Sequence, residues 1–143
     1  MRKGFTLIEI LIVIVIIGLL AALVAPKLVD RLSESKEKIA KQQIQLLSTA
    51  LDLFRADVGR YPTTEEGLEA LVKRPETVPP ELWKGPYLKH GKLPKDPWGN
   101  SYIYYGPDDE RVRAKGYDYL IVSYGADGKP GGTGEAKDIS NVD

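Results

Sequence analysis

From residue 5 to residue 25 the chain is apolar almost without a break, FTLIEILIVIVIIGLLAALVA, and Glu9 is its single charged position. Fifteen of these 21 residues are Leu, Ile, Val or Phe. Each favours insertion into lipid, together by about 6 kcal/mol, against about 3 kcal/mol for a carboxylate at the centre of a bilayer and less near its edge. At 1.5 Å per helical residue the run covers the roughly 30 Å of a hydrocarbon layer, so it reads as a membrane-spanning helix.

After Pro26 the pattern changes from continuous to periodic. Leu28, Leu32, Ile39, Ile44, Leu47, Leu51, Phe54 and Val58 recur near the helical period, which predicts that the helix continues through residues 26–58 as an amphipathic rod. Residues 30–43 are charged almost all round, with Glu34/Lys38 and Glu37/Lys41 at the favourable four-residue spacing. The denser stripe of residues 44–58 is where a domain can pack. Pro26 has no amide to give the carbonyl of Ala22, which loosens the helix there; Gly and Pro are also common in membrane helices. Gly59 then acts as the C-cap, with Pro62 close behind.

Thr63 or Thr64, followed by two glutamates, has the look of a capping box, and Leu68, Leu71 and Val72 share one face, so a second helix is expected to end by Pro75. Six prolines between residues 75 and 97 predict a stiffened surface loop, pinned by Trp83, Tyr87, Leu88 and Leu93. Asp96 to Asn100 is a turn signature. Residues 101–105 and 117–124 read as aromatic-rich strands joined by a polar turn over residues 106–115, and residues 139–142 as a third strand. The expected fold is α+β: a long N-terminal helix whose second half packs on a small antiparallel sheet, with a short second helix and a glycine-rich C-terminal loop.

Composition narrows the chemistry. Twenty basic residues balance twenty acidic ones, so there is no global basic field to suit a nucleic acid. Without cysteine there is no disulfide, thiolate nucleophile or cysteine metal site. The only histidine, His90, stands in a Lys-Gly-rich loop without a nucleophile motif beside it, and reads as a surface residue rather than a base. Lysines and arginines lie on both sides of the apolar run, so the positive-inside rule does not orient it.

Residues 125–134 hold five glycines, and acids follow. A phosphate loop would need GxxxxGK with Ser or Thr and then a helix, and an EF-hand would need acids at alternate positions; neither is present. What remains are the oxygen donors Asp127, Thr133, Glu135 and Asp138 on a flexible chain. That set suits calcium, which takes six to eight oxygens in irregular geometry, or else a solvated acidic loop.

At the N-terminus, a basic leader of Arg2 and Lys3 precedes GFTLIE, which resembles the processing site of type IV pilins and pseudopilins. Further on, GRYPTTEEGLEAL, WKGPYL, DPWGNSYIY and SYGADGKPGG are similar, in order, to the major pseudopilins of the type II secretion system. The resemblance implies cleavage by a prepilin peptidase between Gly4 and Phe5 with N-methylation of Phe5, so residues 1–4 are a leader, 5–25 a transmembrane helix and fibre core, 26–58 its continuation, and 59–143 the rest of a periplasmic domain. It implies that Glu9 pairs with the new N-terminal ammonium, in place of merely reaching the membrane edge, and that the helix between Gly18 and Pro26 unwinds on assembly. A calcium ion is implied in the glycine loop, held by Asp127 and Asp138 with the carbonyls of Tyr124 and Lys129, and with Thr133 and Glu135 as further donors. Ala136 and Lys137 stand where relatives often carry another acid. The implied protein is a non-enzymatic, single-pass inner-membrane subunit that polymerises with itself, and whose partners are minor pseudopilins, an inner-membrane platform protein and a secretion ATPase. A type IV pilin for adhesion, motility or DNA uptake, and a signal-anchored periplasmic enzyme or metal-binding protein, are the competing expectations.

Overall fold

In a computed structural model, residues 4–142 are described, and they fall into two compact units that part between Ser35 and Lys36. One α-helix, α1 (Leu7–Val58), runs unbroken through Gly18 and Pro26. In the first unit its large aliphatic side chains are all exposed. The most apolar 18-residue window of α1 has a mean hydropathy of 3.2 and none of it is buried. This is the one described helix long and apolar enough to cross a membrane.

Within the second unit the helix turns one face to a core. Ala40, Ile44, Leu47, Leu51 and Phe54, at alternating spacings of four and three, are buried there together with Ala50. This corrects the stripe expected from the sequence: Ala40 occupies the inward position, and Ile39, one residue and about 100° away, is left exposed with Leu46 and Leu53. Gly59, at φ +93°, closes the helix with its amide on the Arg55 carbonyl at 2.7 Å. The expected Glu37–Lys41 pair forms at 3.1 Å.

Against this face lies a three-stranded antiparallel sheet in the order β1 (Ile103–Tyr105), β2 (Leu120–Ser123), β3 (Ile139–Ser140). Ile103 pairs with Val122, and Ser123 with Ile139. Tyr102, Tyr104, Tyr119, Ile121 and Ile139 join the helix residues in one core, closed by Leu68, Leu71, Val78 and Leu88. Burying one Phe54-sized side chain contributes about 1.5–3 kcal/mol. The tyrosines keep their hydroxyls bonded: Tyr104 donates to the Pro62 carbonyl at 2.7 Å, Tyr87 to Asp57 at 2.8 Å, and Tyr102 to Gln43. Burial pushes the phenols of Tyr102 and Tyr104 well above the ordinary range.

The second helix is present, but not where the capping signal put it. Thr63 and Glu66 do form the reciprocal pair, the Thr63 amide donating to the Glu66 carboxylate at 3.0 Å and the Glu66 amide to the Thr63 hydroxyl at 3.1 Å. Gly67 at φ +62° then breaks the turn, and only a 3-10 turn, Leu68–Leu71, follows. The α-helix is instead α2 (Glu110–Lys115), inside the stretch read as a polar turn. Asp109 caps its start by accepting from the Arg111 amide at 2.9 Å, and Gly116 at φ +69° ends it. With one buried residue, Val112, it has too little pattern to announce itself.

The proline-rich stretch is held from within. Trp83 donates its ring N–H to the Ala70 carbonyl at 2.8 Å, and a Cβ on Gly85 would stand 2.5 Å from the same indole, so glycine is required there. Gly106 is required too: a Cβ would meet the Pro62 carbonyl at 2.5 Å.

Glu66 is a hub of this unit, its side chain 7% exposed, taking Arg60 at 2.7 and 3.3 Å and the Thr77 hydroxyl at 3.1 Å besides the Thr63 amide. Burial pushes its carboxyl up, but Arg60 and the two Thr63 groups together outweigh that and hold it below its ordinary 4.5. A depressed carboxyl stabilises the fold above its unfolded-state value, and that contribution is lost as pH falls through the folded-state value. Melting curves taken between about pH 6 and pH 3 are therefore expected to fall more steeply for the wild type than for Glu66→Gln, and parallel curves would remove Glu66 from the acid limb.

Candidate functional site

The N-terminal site is built from a short coil and the first turn of a helix. Gly4 to Thr6 precede α1 without helical structure, and Gly4 and Phe5 are exposed, with open space around Gly4. The bond between them lies in exposed chain ahead of the helix. Thr6 and Glu9 form a capping box: the Thr6 amide donates to the Glu9 carboxylate and the Glu9 amide to the Thr6 hydroxyl, both at 3.3 Å. Sequence reasoning treated Glu9 as an acid in need of a partner and passed over this local one, although TLIE carries the pattern of a threonine three residues ahead of a glutamate. Pro26 lies inside α1. Arg2 and Lys3 lie outside the described residues.

The second site is the connection from β2 to β3. After Tyr124 comes a 3-10 turn, Gly125–Asp127, closed by Gly128 at φ +64°. A second 3-10 turn, Gly134–Ala136, leads through Asp138 into β3. The two turns pack closely: a Cβ on Gly125 would stand 2.5 Å from the Glu135 carbonyl oxygen and 2.9 Å from that of Lys137. At Gly125, and at Gly132, where a Cβ would collide with the Ala136 carbonyl oxygen, glycine is thus a packing requirement, and backbone oxygens line the crossing.

The proposed donors are placed unevenly. Asp127 is exposed and accepts from the Lys129 amide at 3.1 Å. Asp138 accepts from the Gly131 amide at 2.9 Å through Oδ2, while its Oδ1 is buried with no hydrogen-bond partner among the described residues. Thr133 is exposed and precedes the second turn, and Glu135 and Lys129 are exposed as well. Tyr124 directs its hydroxyl to that of Tyr105 at 3.1 Å. This hydrogen bond first, then burial, then the charges of Tyr105 and Asp138 push its phenol up to about 12.

No group of three or more His, Cys, Asp or Glu side chains comes together to hold a metal among the described residues. A cation here would need backbone carbonyls to fill its shell. The buried, unpartnered Asp138 Oδ1 fits such an ion, because a carboxylate oxygen withdrawn from water is costly without a charged or donating partner.

Three residues that sequence reasoning took only as turn or strand formers also reach the loop. Asn100 donates to the Gly125 carbonyl at 3.1 Å, Ser123 accepts from the Gly125 amide at 3.4 Å, and Asp96 holds both. His90 is an exposed residue of a short turn.

Residues 27–142 match the family model "Type II secretion system (T2SS), protein G", and residues 1–25 match the prokaryotic N-terminal methylation motif. The chain is 48% identical to the type II secretion system core protein G of Pseudomonas aeruginosa over 99% of this chain and 96% of that one. It is 41% identical to the protein of the same name from Escherichia coli K12, over 98% and 90%. Among solved structures it resembles the major pseudopilin of the type 2 secretion system of enterohaemorrhagic Escherichia coli, with a TM-score of 0.61 and 36% identity over 81% of this chain and 94% of that one. The match beyond the N-terminal motif decides between a secretion pseudopilin and a type IV pilin, and the chain belongs to the type II secretion system protein G family.

Proposed function

We propose that the protein is a fibre-forming subunit of a type II secretion machine, held in the inner membrane by residues 5–25 with its C-terminal unit in the periplasm. The observation that carries this reading is an 18-residue helical window of mean hydropathy 3.2 with none of it buried by its own chain. Such a surface has to be covered, first by lipid and then, once the subunit leaves the bilayer, by the same helix of neighbouring copies. A prepilin peptidase is the expected processing partner, and minor pseudopilins, a platform protein and a secretion ATPase the expected assembly partners. Polymerisation, and no catalytic step, is the subunit's contribution to export.

Mass spectrometry of the protein from its own host tests the reading. The expected mature N-terminus is N-methylated Phe5, and electron microscopy of overproducing cells is expected to show fibres. An intact Met1, or a cut elsewhere, would overturn it.

The glycine loop is proposed to hold calcium, with Asp127 and Asp138 as side-chain ligands, Thr133 and Glu135 as further side-chain donors, and carbonyls of Tyr124 and Lys129 completing the shell. The unpartnered Asp138 Oδ1 supports this. Bound, the ion supplies positive charge and oxygen coordination that offset the cost of ordering the loop, about 1–2 kcal/mol per residue.

A further inference from the structure

Asp96 is a buried carboxylate, 4% exposed, for which neither processing, polymerisation nor metal ligation has a use. Its Oδ1 accepts from the amides of Trp98 at 3.1 Å and Asn100 at 2.7 Å, and its Oδ2 accepts from the Ser123 hydroxyl at 2.8 Å. The two residues it holds then take Gly125 from both sides. Ser123 Oγ accepts from the Gly125 amide at 3.4 Å, and Asn100 Nδ2 donates to the Gly125 carbonyl at 3.1 Å. Gly125 is also the point where the return of the loop crosses, with the carbonyls of Glu135 and Lys137 against it.

We infer that Asp96 is a positioning residue for the glycine loop: through Ser123 and Asn100 it fixes both backbone groups of Gly125, and with them the crossing that sets Asp127 and Asp138 apart. A carboxylate suits the task because it accepts several bonds at once and donates none. In place of a disulfide or a long stretch of strand pairing, one buried acid between two turns sets where the loop starts. Its consequence for calcium affinity rests on the calcium reading above; its consequence for loop order does not.

Hydrogen exchange on the full-length chain in detergent, in the presence of chelator, tests the inference. Ser123→Ala and Asn100→Ala each cut one of the two ties, and each is expected to speed exchange across residues 125–138 by about tenfold while β1 and residues 40–54 of α1 stay as in the wild type. Asp96→Asn keeps an oxygen for the two turn amides and reverses the Ser123 bond, its NH2 donating to Ser123 Oγ, so the tie persists and loop exchange is expected within about threefold of wild type. Wild-type exchange in both Ser123→Ala and Asn100→Ala overturns the inference. So does a general loosening by Asp96→Asn that includes α1 and β1, which would make Asp96 an ordinary core residue. In a second arm, calorimetric titration with calcium chloride is expected to give about tenfold weaker binding for Ser123→Ala. A wild-type protein that takes up no calcium removes the metal reading, and the exchange data still decide on Asp96.

Discussion

Glu9→Ala is expected to leave the protein in the membrane fraction and to abolish fibres. Insertion cannot suffer, because the aliphatic run favours lipid by about 6 kcal/mol and the substitution removes its only charge. Loss of the Thr6–Glu9 capping box costs about 1 kcal/mol, which a helix of 52 residues absorbs. Assembly is different. The proposed cleavage before Phe5 would leave an ammonium four residues from Glu9, and stripping a buried cation of its partner costs about 3–5 kcal/mol, a factor of a hundred or more in the equilibrium for each subunit added. Glu9→Gln separates the two roles that the carboxylate can play. Glutamine still reaches back to the Thr6 amide but carries no charge, so it too is expected to give no fibres. Fibres from Glu9→Gln alone would make Glu9 a helix cap; fibres from Glu9→Ala would leave it without a part in assembly. Fibre counts by electron microscopy, alongside membrane fractionation, make the measurement.

Removing calcium is expected to lower the melting temperature of the full-length protein by roughly 10 °C. At a free concentration a hundred times the dissociation constant a ligand stabilises the folded state by about 2.7 kcal/mol, and in a domain near a hundred residues each kcal/mol moves the midpoint by about 4 °C. Asp127→Ala is expected to melt close to the wild type in chelator and to respond little to added calcium. Its own bond to the Lys129 amide, exposed and local, is worth about 1 kcal/mol at most. Melting followed by circular dichroism, with calcium and with chelator, gives the result. Coincident curves for the wild type would end the calcium proposal.

Much of this architecture was legible because it follows from local repetition. The uninterrupted aliphatic run needs no tertiary partner to declare itself, and the antiparallel strands at residues 103–105, 120–123 and 139–140 fall inside the segments that alternation and turn residues marked out. The misses are equally local in origin. Capping chemistry at Thr63 and Glu66 is real, yet a single glycine at φ +62° stops it from nucleating a helix. At α2 the caps Asp109 and Gly116 come out only in the structure, and six residues with one buried side chain carry no period to detect. Ile39 and Ala40 differ by one position, and hydropathy favours the larger residue where packing chose the smaller.

The site divides along the same line. The residues proposed for processing, Gly4 and Phe5, and for assembly, Glu9 and Pro26, all lie in the N-terminal segment that matches the methylation motif or directly after it, so proposing them required no fold. The loop from Gly125 to Asp138 is another matter. Its residue types announced a set of oxygen donors, but whether those donors converge depends on partners far away in sequence: Asn100 reaches Gly125 across 25 residues, and Asp96 holds Ser123, just ahead of the loop, across 27. Local chemistry is set by neighbours along the chain, and a linear pattern records it. A buried carboxylate bonded to Ser123, or the unpaired Asp138 Oδ1, exists only once the chain has closed and excluded water from those atoms, and no spacing of letters encodes that exclusion.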